Sequence, residues 1–398
     1  MTNTNNSKKI IVLLMLSQAC YLSAMSIDLT ITALVGTTLA SNRLYATLPM
    51  ALISIFSVIV APQIPKLATR LGLKNLLISG GGIAAIGGLF SWYSLAVHSF
   101  LLLCIGTSCV GIYQAIANYY RYVAADTSRR GQEVRSISLV LTAGVFAAII
   151  GPLLATWSSQ LLTPLYSGAY LLVSVLGISA LFINTFLPKK QINATMQHSV
   201  AQSTEPEIKI GFLTLLKRAS FRNGALILLC SCFSMSLIMS GAPIFMQNIL
   251  HNSATQRMFG MQLHMVGMYL PVIILLFVAK YLALKIQIMS AAVIGIIAVL
   301  TSAFYVNHTT IMFTLLLIGV FWSLSYASGS ALLTQSYTAQ ERQSARGKGE
   351  MFPVLGLALG SLLAGPFSLW TSWPVQMSFI LLFILMSIGL IFIDWHKI

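Results

Sequence analysis

Acidic residues are scarce in this chain of 398 residues, since Asp and Glu together number 8 against 23 Lys and Arg. Charged residues of both signs make up 8% of the sequence, whereas hydrophobic residues make up 57% and the mean hydropathy is +0.86. A soluble domain has about a quarter of its residues charged. An ordinary soluble protein is therefore excluded, and the chain is expected to reside in a membrane.

Motifs that would indicate an enzyme are also missing from the sequence. It contains neither the G-x-x-x-x-G-K-[ST] loop that binds nucleoside triphosphates nor an H-E-x-x-H zinc motif. It offers no paired carboxylates within its apolar runs and no Ser, His and Asp set with a credible shared pocket. A lipid-modifying membrane enzyme would cluster acids or histidines at one interface, and the acids here are scattered. We therefore predict no enzymatic activity and no cofactor.

Cysteine is limited to five residues, all of which lie inside apolar runs. Cys230 and Cys232 are two residues apart, which places them on different faces of a helix and not at a metal-ligand spacing. We interpret all five as inert buried thiols, and we predict neither a disulfide framework nor a metal site.

Long apolar runs are what the sequence has in abundance. We count twelve of about 18–25 residues, each able to cross a hydrocarbon core of about 30 Å as a helix. Most of the connections between them are short, so successive helices are expected to be antiparallel neighbours. The predicted fold class is an all-α membrane protein with twelve transmembrane helices. The approximate bounds of the runs are 10–36, 44–62, 76–96, 99–122, 136–157, 165–187, 224–246, 258–279, 286–306, 310–333, 351–370 and 375–393.

The basic residues alternate between the gaps that separate these runs. Of the 23 Lys and Arg residues, 21 fall in every second gap, and Arg43 and Arg257 fall in the others. Because Lys and Arg stay on the cytoplasmic side of short loops, this alternation predicts an inner-membrane protein with both termini in the cytoplasm. The net charge of +15 then reflects topology and contact with anionic membrane lipids, and no nucleic-acid partner is expected.

One connection, residues 189–222, is much longer than the rest. Residues 191–207 are polar and typical of a flexible linker. Residues 210–218 place three apolar side chains on one face beside basic residues, which predicts a helix lying on the inner membrane surface. The connection divides the chain into two predicted six-helix bundles, 1–188 and 223–398. This organisation is typical of two repeated halves that face each other across a central cavity.

The short loop after the second apolar run carries a recognisable pattern, Pro65-Lys-Leu-Ala-Thr-Arg-Leu-Gly-Leu-Lys74. It resembles the G-x-x-x-D-R-x-G-R-[RK] loop of the major facilitator superfamily, with Arg70, Gly72 and Lys74 at matching positions. Thr69 stands where that family has an Asp, which helps to latch the two bundles in the outward-facing state. The resemblance therefore implies the fold of that superfamily but puts this latch in doubt.

Other stretches are similar to one bacterial branch of the superfamily, which includes riboflavin importers and has relatives that handle siderophores and drugs. The resemblance implies a secondary transporter that moves a small organic molecule by alternating access and acts as a monomer. Glu350 follows Gly349 where this branch usually has Asn-Asp. The similar stretches are 46–49, 120–126, 135–138, 241–243, 262–264 and 337–342.

Gly151 and Pro152, in the fifth run, resemble incompletely a glycine and proline motif of antiporters. Glycine allows helices to approach closely, and proline bends a helix because it removes one backbone donor. A bend that assists a conformational change and a simple packing site are both consistent with this pattern.

Asp28 is the only carboxylate within a predicted span. A charge near the bilayer centre costs ~3 kcal/mol or more, so such residues usually face a cavity or a partner. Burial favours the protonated form of a carboxyl group, which would allow Asp28 to carry protons. Residues 27–32 also resemble a first-span motif of drug–proton antiporters. The alternative is a structural acid bonded to Thr30 or Thr32.

Polar residues in three other predicted spans are candidates for contact with a small-molecule substrate. His264 can bond a substrate or a proton, or it can serve as a donor between helices. Gln114 and Asn118 lie one helical turn apart, where they can bond either a substrate or a neighbouring helix.

Arg121 can bind an anionic substrate group at the inner mouth of the cavity. Alternatively, its side chain can extend to the membrane surface or pair with Asp126. Trp322 and Tyr326 are four residues apart on the tenth run. They can stack on an aromatic ligand, or they can serve packing alone.

The inner loop after the tenth run contains Glu341 and Arg342 and ends near Glu350. We expect these residues to form ion pairs with the charges of residues 129–135, which would hold one conformation and break in the other. Solvated loop charges are the alternative.

These observations favour a secondary active transporter for a small organic solute such as a vitamin, a siderophore or a drug-like compound. Coupling to protons through Asp28 is the expected energy source. The alternatives are a uniporter of a small metabolite and a polytopic lipid-modifying enzyme.

Overall fold

The computed structural model describes residues 4–128, 136, 139–140, 142–189, 191–193, 210–278, 283–338 and 340–393. Every regular element within these ranges is helical. The chain divides into two compact units, one formed by Met1–Ser41 and Leu48–Thr204 and the other by Asn42–Thr47 and Glu205–Ile398. The predicted bundle bounds of 1–188 and 223–398 stay predictions.

The first unit contains eight α-helices within its described residues. They are α1 (Thr4–Leu39), α2 (Leu48–Val60), α3 (Ile64–Leu71), α4 (Leu73–Ala96), α5 (Phe100–Ala117), α6 (Tyr120–Asp126), α7 (Ala143–Ser159) and α8 (Ser167–Thr185).

The second unit contains a further eight α-helices within the part of it that the structure describes. Residues 42–47 belong to this unit, and in it the Thr47 hydroxyl oxygen accepts a hydrogen bond of 3.0 Å from the Gly365 N–H. The helices are α9 (Phe212–Lys217), α10 (Ala219–Asn248), α11 (Ala254–Val278), α12 (Leu284–Phe304), α13 (His308–Gln335), α14 (Arg342–Gly349), α15 (Met351–Trp370) and α16 (Trp373–Ile393).

Among the described residues, nine helical stretches are long and apolar enough to cross a membrane. Two shorter apolar stretches are Ala143–Ser159 and Trp373–Gly389. An α-helix satisfies its own backbone hydrogen bonds, which a segment in hydrocarbon requires. The prediction of an all-helical protein with many apolar spans is confirmed. The number twelve and the pairing of two six-helix bundles stay predictions.

Small residues allow two helices of the first unit to meet backbone to backbone. A Cβ added to Gly81 of α4 would lie 2.5 Å from the Leu181 nitrogen and 2.7 Å from the Gly177 oxygen of α8. Along the same contact, the Ser174 hydroxyl donates to the Ala85 carbonyl at 2.9 Å. Membrane helices associate through such close van der Waals contacts and hydrogen bonds, because lipid offers no hydrophobic drive between them.

The second unit joins α10 to α15 in the same way. A Cβ on Gly360 would lie 2.5 Å from the carbonyl oxygen of Phe233. The hydroxyls of Ser236 and Ser361 form a hydrogen bond of 2.7 Å across the same contact. Short polar side chains thus bond between helices where glycine has brought the backbones together.

Charged side chains hold α9 to the loop that precedes α14. The two terminal nitrogens of Arg218 donate to the two carboxylate oxygens of Glu341, each at 2.8 Å, and Nη1 also donates to the Ser336 carbonyl at 2.7 Å. Lys348 donates from Nζ to the Ile210 carbonyl. A two-pronged pair between Arg and a carboxylate is among the strongest polar contacts in proteins. These contacts fix α9 within the second unit.

The short helix α9 buries one apolar side chain and exposes another. Leu215 is buried, whereas Leu213 is 73% exposed and Phe212 stacks on Phe352 with ring centroids 6.1 Å apart. An exposed apolar side chain near the basic Lys217 suits a helix on a membrane surface. That location stays a prediction.

The α4–α8 contact yields a test at neighbouring glycines. We expect Gly81→Ala to destabilise the protein by about 1–3 kcal/mol, because its Cβ would meet backbone atoms that cannot move aside. Gly82→Ala is the matched control, since its Cβ would meet only the Leu181 side chain, at 3.4 Å. Thermal unfolding of the purified variants in detergent measures both, and equal midpoints would contradict the backbone contact.

The Arg218–Glu341 pair yields a prediction about pH. The hydrogen bonds from Arg218 lower the pKa of the Glu341 carboxyl from 4.5 to about 2. Because the folded-state pKa is the lower one, the pair stabilises the protein fully above pH 4.5 and loses this effect as pH falls towards 2. Glu341→Gln should therefore lower the thermal midpoint by the same amount at neutral and at mildly alkaline pH.

Arg218→Lys provides a comparison, because it keeps the charge but removes the two-pronged geometry. We expect it to lose part of the stabilisation, again without dependence on pH in this range. A difference between wild type and Glu341→Gln that changed between neutral and alkaline pH would contradict the assignment.

Candidate functional site

Asp28 lies within α1 and is 1% exposed. One helical turn further on, the Thr32 hydroxyl donates to its Oδ1 at 3.2 Å. Its other oxygen, Oδ2, is buried and has no hydrogen-bond partner among the described residues. Leaving a buried acceptor unpaired is unfavourable by about 1–3 kcal/mol, and by more if the group is charged. The geometry therefore favours a neutral carboxyl group in the described conformation.

A second hydroxyl, on α8, extends this contact. The Tyr170 hydroxyl donates to the Thr32 oxygen at 3.2 Å, and both side chains are fully buried. Sequence analysis missed Tyr170, although it is the only ionisable residue of α8. The sequence does contain a signal for Tyr170, because it is the one tyrosine in a helix of mainly small and aliphatic residues.

Gly151 and Pro152 of α7 lie where this helix packs on α1. A Cβ added to Gly151 would overlap the side chain of Ser26, which is two residues from Asp28. Gly151 thus allows α7 to approach α1 close to the buried acid. This contact is consistent with the packing role considered for Gly151. A role of the Gly151-Pro152 pair in a conformational change stays a prediction.

A buried polar network joins α1 to α4, α6 and α8. The Ser17 hydroxyl donates to the Asn184 side-chain oxygen at 2.9 Å. The Asn184 amide donates to the Tyr120 hydroxyl and to the Leu77 carbonyl, both at 2.9 Å. Sequence analysis did not identify Ser17 or Asn184, because their positions are 167 residues apart. The network fixes α1 at Ser17, and Asp28 lies 11 residues further along the same helix.

The three candidates near the C-terminal end of α5 differ in environment. Gln114 is partly buried, and its Oε1 has no described hydrogen-bond partner, whereas Asn118 is exposed. The Asn118 N–H still bonds to the Gln114 carbonyl at 3.1 Å, so the two lie one turn apart as predicted. Arg121 donates to the Tyr122 hydroxyl at 3.1 Å, and its guanidinium carbon lies 4.9 Å from the centre of that ring.

Contacts within the first unit hold the loop that contains Arg70, Gly72 and Lys74. Gly72 has a φ of 82°, which glycine adopts without strain, and Asn193 occupies the space that a side chain there would need. Lys74 donates from Nζ to the Thr185 carbonyl at 2.6 Å, at the end of α8, where a cation is favourable. The Arg70 side chain is exposed.

His264, on α11 of the second unit, is fully buried. Its Nδ1 lies 2.8 Å from the Leu315 carbonyl oxygen of α13. Because a carbonyl oxygen only accepts, Nδ1 must carry the proton, which leaves Nε2 of the neutral ring as an acceptor. Nε2 is buried and has no partner among the described residues. One ring nitrogen thus serves helix packing, and the other is available to a donor.

Trp322 and Tyr326 are adjacent on α13, with ring centroids 5.1 Å apart and planes tilted by 33°. The Trp322 indole N–H donates to the Cys232 sulfur of α10 at 3.3 Å. This bond fixes the indole and leaves its faces for packing or stacking. Both rings are partly buried.

The structure describes the side chains of only some of the charged residues that follow α13. Glu341 pairs with Arg218 of its own unit. The side chain of Arg342 and the predicted partners in 129–135 lie outside what the structure describes, so the expected ion pairs between the halves stay a prediction. Glu350 is exposed and precedes α15. Within the described part of the chain, no group of three His, Cys, Asp or Glu residues is arranged to bind a metal ion.

The sequence of this chain is similar to those of known proteins. Residues 12–251 match the family model of the Major Facilitator Superfamily. The riboflavin transporter RfnT of Brucella anthropi is 26% identical over 378 residues, which is 94% of this chain and 92% of that protein.

Solved structures agree with this fold. A crystal structure of a mutant nucleoside transporter NupG superposes with a TM-score of 0.74 at 13% identity, covering 96% of this chain and 99% of that one. The human organic anion transporter MFSD10 superposes with a TM-score of 0.66 at 16% identity, with the same coverage. The family match, the apolar helices and these superpositions together identify a multi-pass membrane protein. The chain belongs to the major facilitator superfamily.

Proposed function

We propose that this protein is a proton-coupled secondary transporter that moves a small organic solute across the bacterial inner membrane by alternating access. Both termini would be cytoplasmic, and residues 189–222 would join the two moving halves. The protein would act as a monomer, with membrane lipids around it. The observation that carries the proposal is Asp28, whose one bonded and one unpartnered oxygen lie buried in α1.

Proton coupling follows from what such a carboxyl group can do. Removed from water, an acid is neutral unless its charge is compensated, and it ionises when water or a cation reaches it. A carrier that alternates between two conformations can expose the same group to one side and then to the other. Asp28 is the only acid in the predicted spans, so each cycle would carry one proton through it.

Riboflavin is the first substrate to test, because the relative with 26% identity over most of both chains is a riboflavin transporter. Riboflavin combines a planar ring that bears one N–H donor with a chain of hydroxyls, which can also donate. Nε2 of His264 and Oε1 of Gln114 are acceptors that lack partners in the described structure. Trp322 and Tyr326 offer aromatic faces. Siderophores and drug-like compounds are the other members of the proposed substrate class.

The test of this function is uptake of radiolabelled riboflavin into right-side-out membrane vesicles, with empty-vector vesicles as the control. We expect accumulation that depends on the protein and that a protonophore abolishes. Ferric carboxylate siderophores and cationic dyes form the rest of the panel. Protein-dependent entry that stops at equal concentrations on both sides, with or without a protonophore, would favour the uniporter alternative. Accumulation only in inverted vesicles would mean export.

The Asp28→Asn variant belongs to the same experiment. Asn cannot ionise but keeps an acceptor for Thr32, so we expect uphill accumulation to fall to the empty-vector level. Exchange of substrate between equally loaded compartments should persist, because it needs no net proton movement. Full accumulation by Asp28→Asn would refute proton coupling through this residue.

Two substitutions at His264 separate its packing role from its proposed contact with substrate. Asn can replace the Nδ1 donor to Leu315 but has no atom at the position of Nε2, whereas Gln can reach that position. We expect His264→Asn to fold normally and to bind riboflavin about tenfold more weakly, as for the loss of one hydrogen bond. His264→Gln should bind more tightly than His264→Asn, as measured by titration of purified protein.

An unchanged dissociation constant for His264→Asn would assign this histidine to helix packing alone. His308→Asn is the control, because His308 also bonds through Nδ1, to the Asn252 side chain at 2.7 Å, but is not a candidate for substrate contact.

A further inference from the structure

The hydrogen bonds around Asp28 distinguish its two oxygens. A hydroxyl group carries one proton. The proton of Tyr170 points to the Thr32 oxygen, and the proton of Thr32 points to Oδ1 of Asp28. Reversing both bonds would leave the Tyr170 proton without an acceptor among the described residues. The hydrogen bonds therefore point from Tyr170 through Thr32 to Asp28, and Oδ1 is the last acceptor.

Oδ2 has the opposite environment. It is buried, and no described donor reaches it. A proton placed on Oδ2 neutralises the carboxyl group and leaves both existing hydrogen bonds intact. A proton placed on Oδ1 would face the proton of Thr32 and break the chain.

We propose that Thr32 and Tyr170 are positioning residues that hold Oδ1 as an acceptor, so that the transported proton binds to and leaves from Oδ2. The inference rests on the proposed role of Asp28 in proton coupling. Binding forms one O–H bond at Oδ2 and neutralises the carboxylate. Release breaks that bond and returns the proton to water, while Thr32 and Tyr170 keep their own protons.

Among the described residues, few other ionisable groups lie near Asp28. Helices α2 and α7, which pack on α1, contain no ionisable residue, and α8 contains only Tyr170. Within α1 itself, Cys20 and Tyr21 are seven or eight residues away, and Lys8 and Lys9 lie near its start. The ionisable residues of α5 and α6 are Cys104, Cys109, Tyr113, Tyr120, Arg121, Tyr122 and Asp126.

The contacts of α5 and α6 with α1 lie away from Asp28. Tyr113 packs on Tyr21, with ring centroids 5.4 Å apart and about 10 Å along α1 from Asp28. Tyr120 shares Asn184 with Ser17, about 16 Å along the helix from Asp28. Cys109 lies against Gly87 of α4. Control of Asp28 by hydrogen bonding therefore falls to Thr32 and, through it, to Tyr170.

The two positioning residues have a measurable effect on pH dependence. A donor to Oδ1 favours the ionised form of Asp28, so its removal makes the proton bind more tightly. The pH at which the carboxyl group is half-protonated should then rise. Both bonds are long for hydroxyl donors, at 3.2 Å, so the effect is expected to be modest.

The experiment compares Thr32→Val with Thr30→Val on the same helix. Both residues are buried, and Val has nearly the same shape as Thr, but the Thr30 hydroxyl donates to the Ser26 carbonyl at 2.7 Å and not to Asp28. The readout is the carboxylic-acid C=O band in infrared difference spectra of purified protein during a pH titration. The band is assigned by its loss in Asp28→Asn. The pH dependence of vesicle uptake is measured alongside.

We expect the titration midpoint to rise by about half to one pH unit in Thr32→Val, which is less than the roughly one to two units for a short hydrogen bond to a charged group, because this bond is long. Thr30→Val should leave it unchanged, and Thr32→Ser should restore it. Tyr170→Phe should move it in the same direction by less. The double variant should match Thr32→Val, because Tyr170 acts through Thr32.

Equal midpoints in Thr32→Val and Thr30→Val would overturn the proposal, as would additive shifts from Thr32 and Tyr170. If Thr32→Val does not fold, an unshifted midpoint in Tyr170→Phe, which keeps α1 intact, would overturn it. The two levels of inference fail differently. Concentrative uptake by Asp28→Asn would refute proton coupling through Asp28. If Asp28→Asn abolishes concentrative uptake but Thr32→Val leaves the titration midpoint unshifted, only the assignment of the proton to Oδ2 fails.

Discussion

The lack of water in the hydrocarbon core is the constraint on which the rest of this structure depends. A polar group there must find its partner within the protein. The backbone does so by forming helices, and side chains do so across helix contacts, as Asn184 does with Ser17, Tyr120 and Leu77. Several buried side-chain atoms have no described partner, and among them Oδ2 of Asp28 belongs to a carboxyl group and Nε2 of His264 to an imidazole. In the proposed transporter, a proton would bind at Oδ2 of Asp28 and a substrate donor at Nε2 of His264.

The chemistry of the two units differs. The first unit contains the buried acid and a directed chain of hydroxyls that ends on it. The second unit contains a histidine whose Nε2 has no partner among the described residues, and an aromatic pair in which Trp322 bonds to the Cys232 thiol. In the proposed transporter, proton binding is therefore a property of the first unit, and the second contributes three of the six candidate substrate contacts. Coupling would arise because one conformational change exposes both.

The sequence predicted those features that depend on local pattern. The lengths of the apolar runs predicted a helical membrane protein. The sequence offered both Thr30 and Thr32 as possible partners of Asp28, and in the structure Thr32 forms the bond. Features that depend on tertiary contact were not predictable. Tyr170 is 138 residues from Thr32, and Arg218 is 123 residues from Glu341. The sequence predicts ion pairs between Glu341 and the charges of residues 129–135, whereas in the structure Glu341 pairs with Arg218. Sequence alone does not indicate which basic residue an acid in a loop will contact. The sequence around His264 does not indicate that Nδ1 bonds to the Leu315 carbonyl while Nε2 lacks a hydrogen-bond partner among the described residues.

The bond between Trp322 and Cys232 affects how this protein can be labelled. Site-directed probes are commonly attached to single cysteines in a parent from which the native thiols have been removed. Replacing Cys232 by Ala would remove the acceptor of the Trp322 indole N–H and loosen an aromatic side chain beside a candidate binding residue. Ser retains an acceptor, although its oxygen is smaller and lies closer to the backbone than sulfur. Because Cys232 is fully buried, the better parent leaves it in place and removes the partly exposed Cys20 and Cys109 instead.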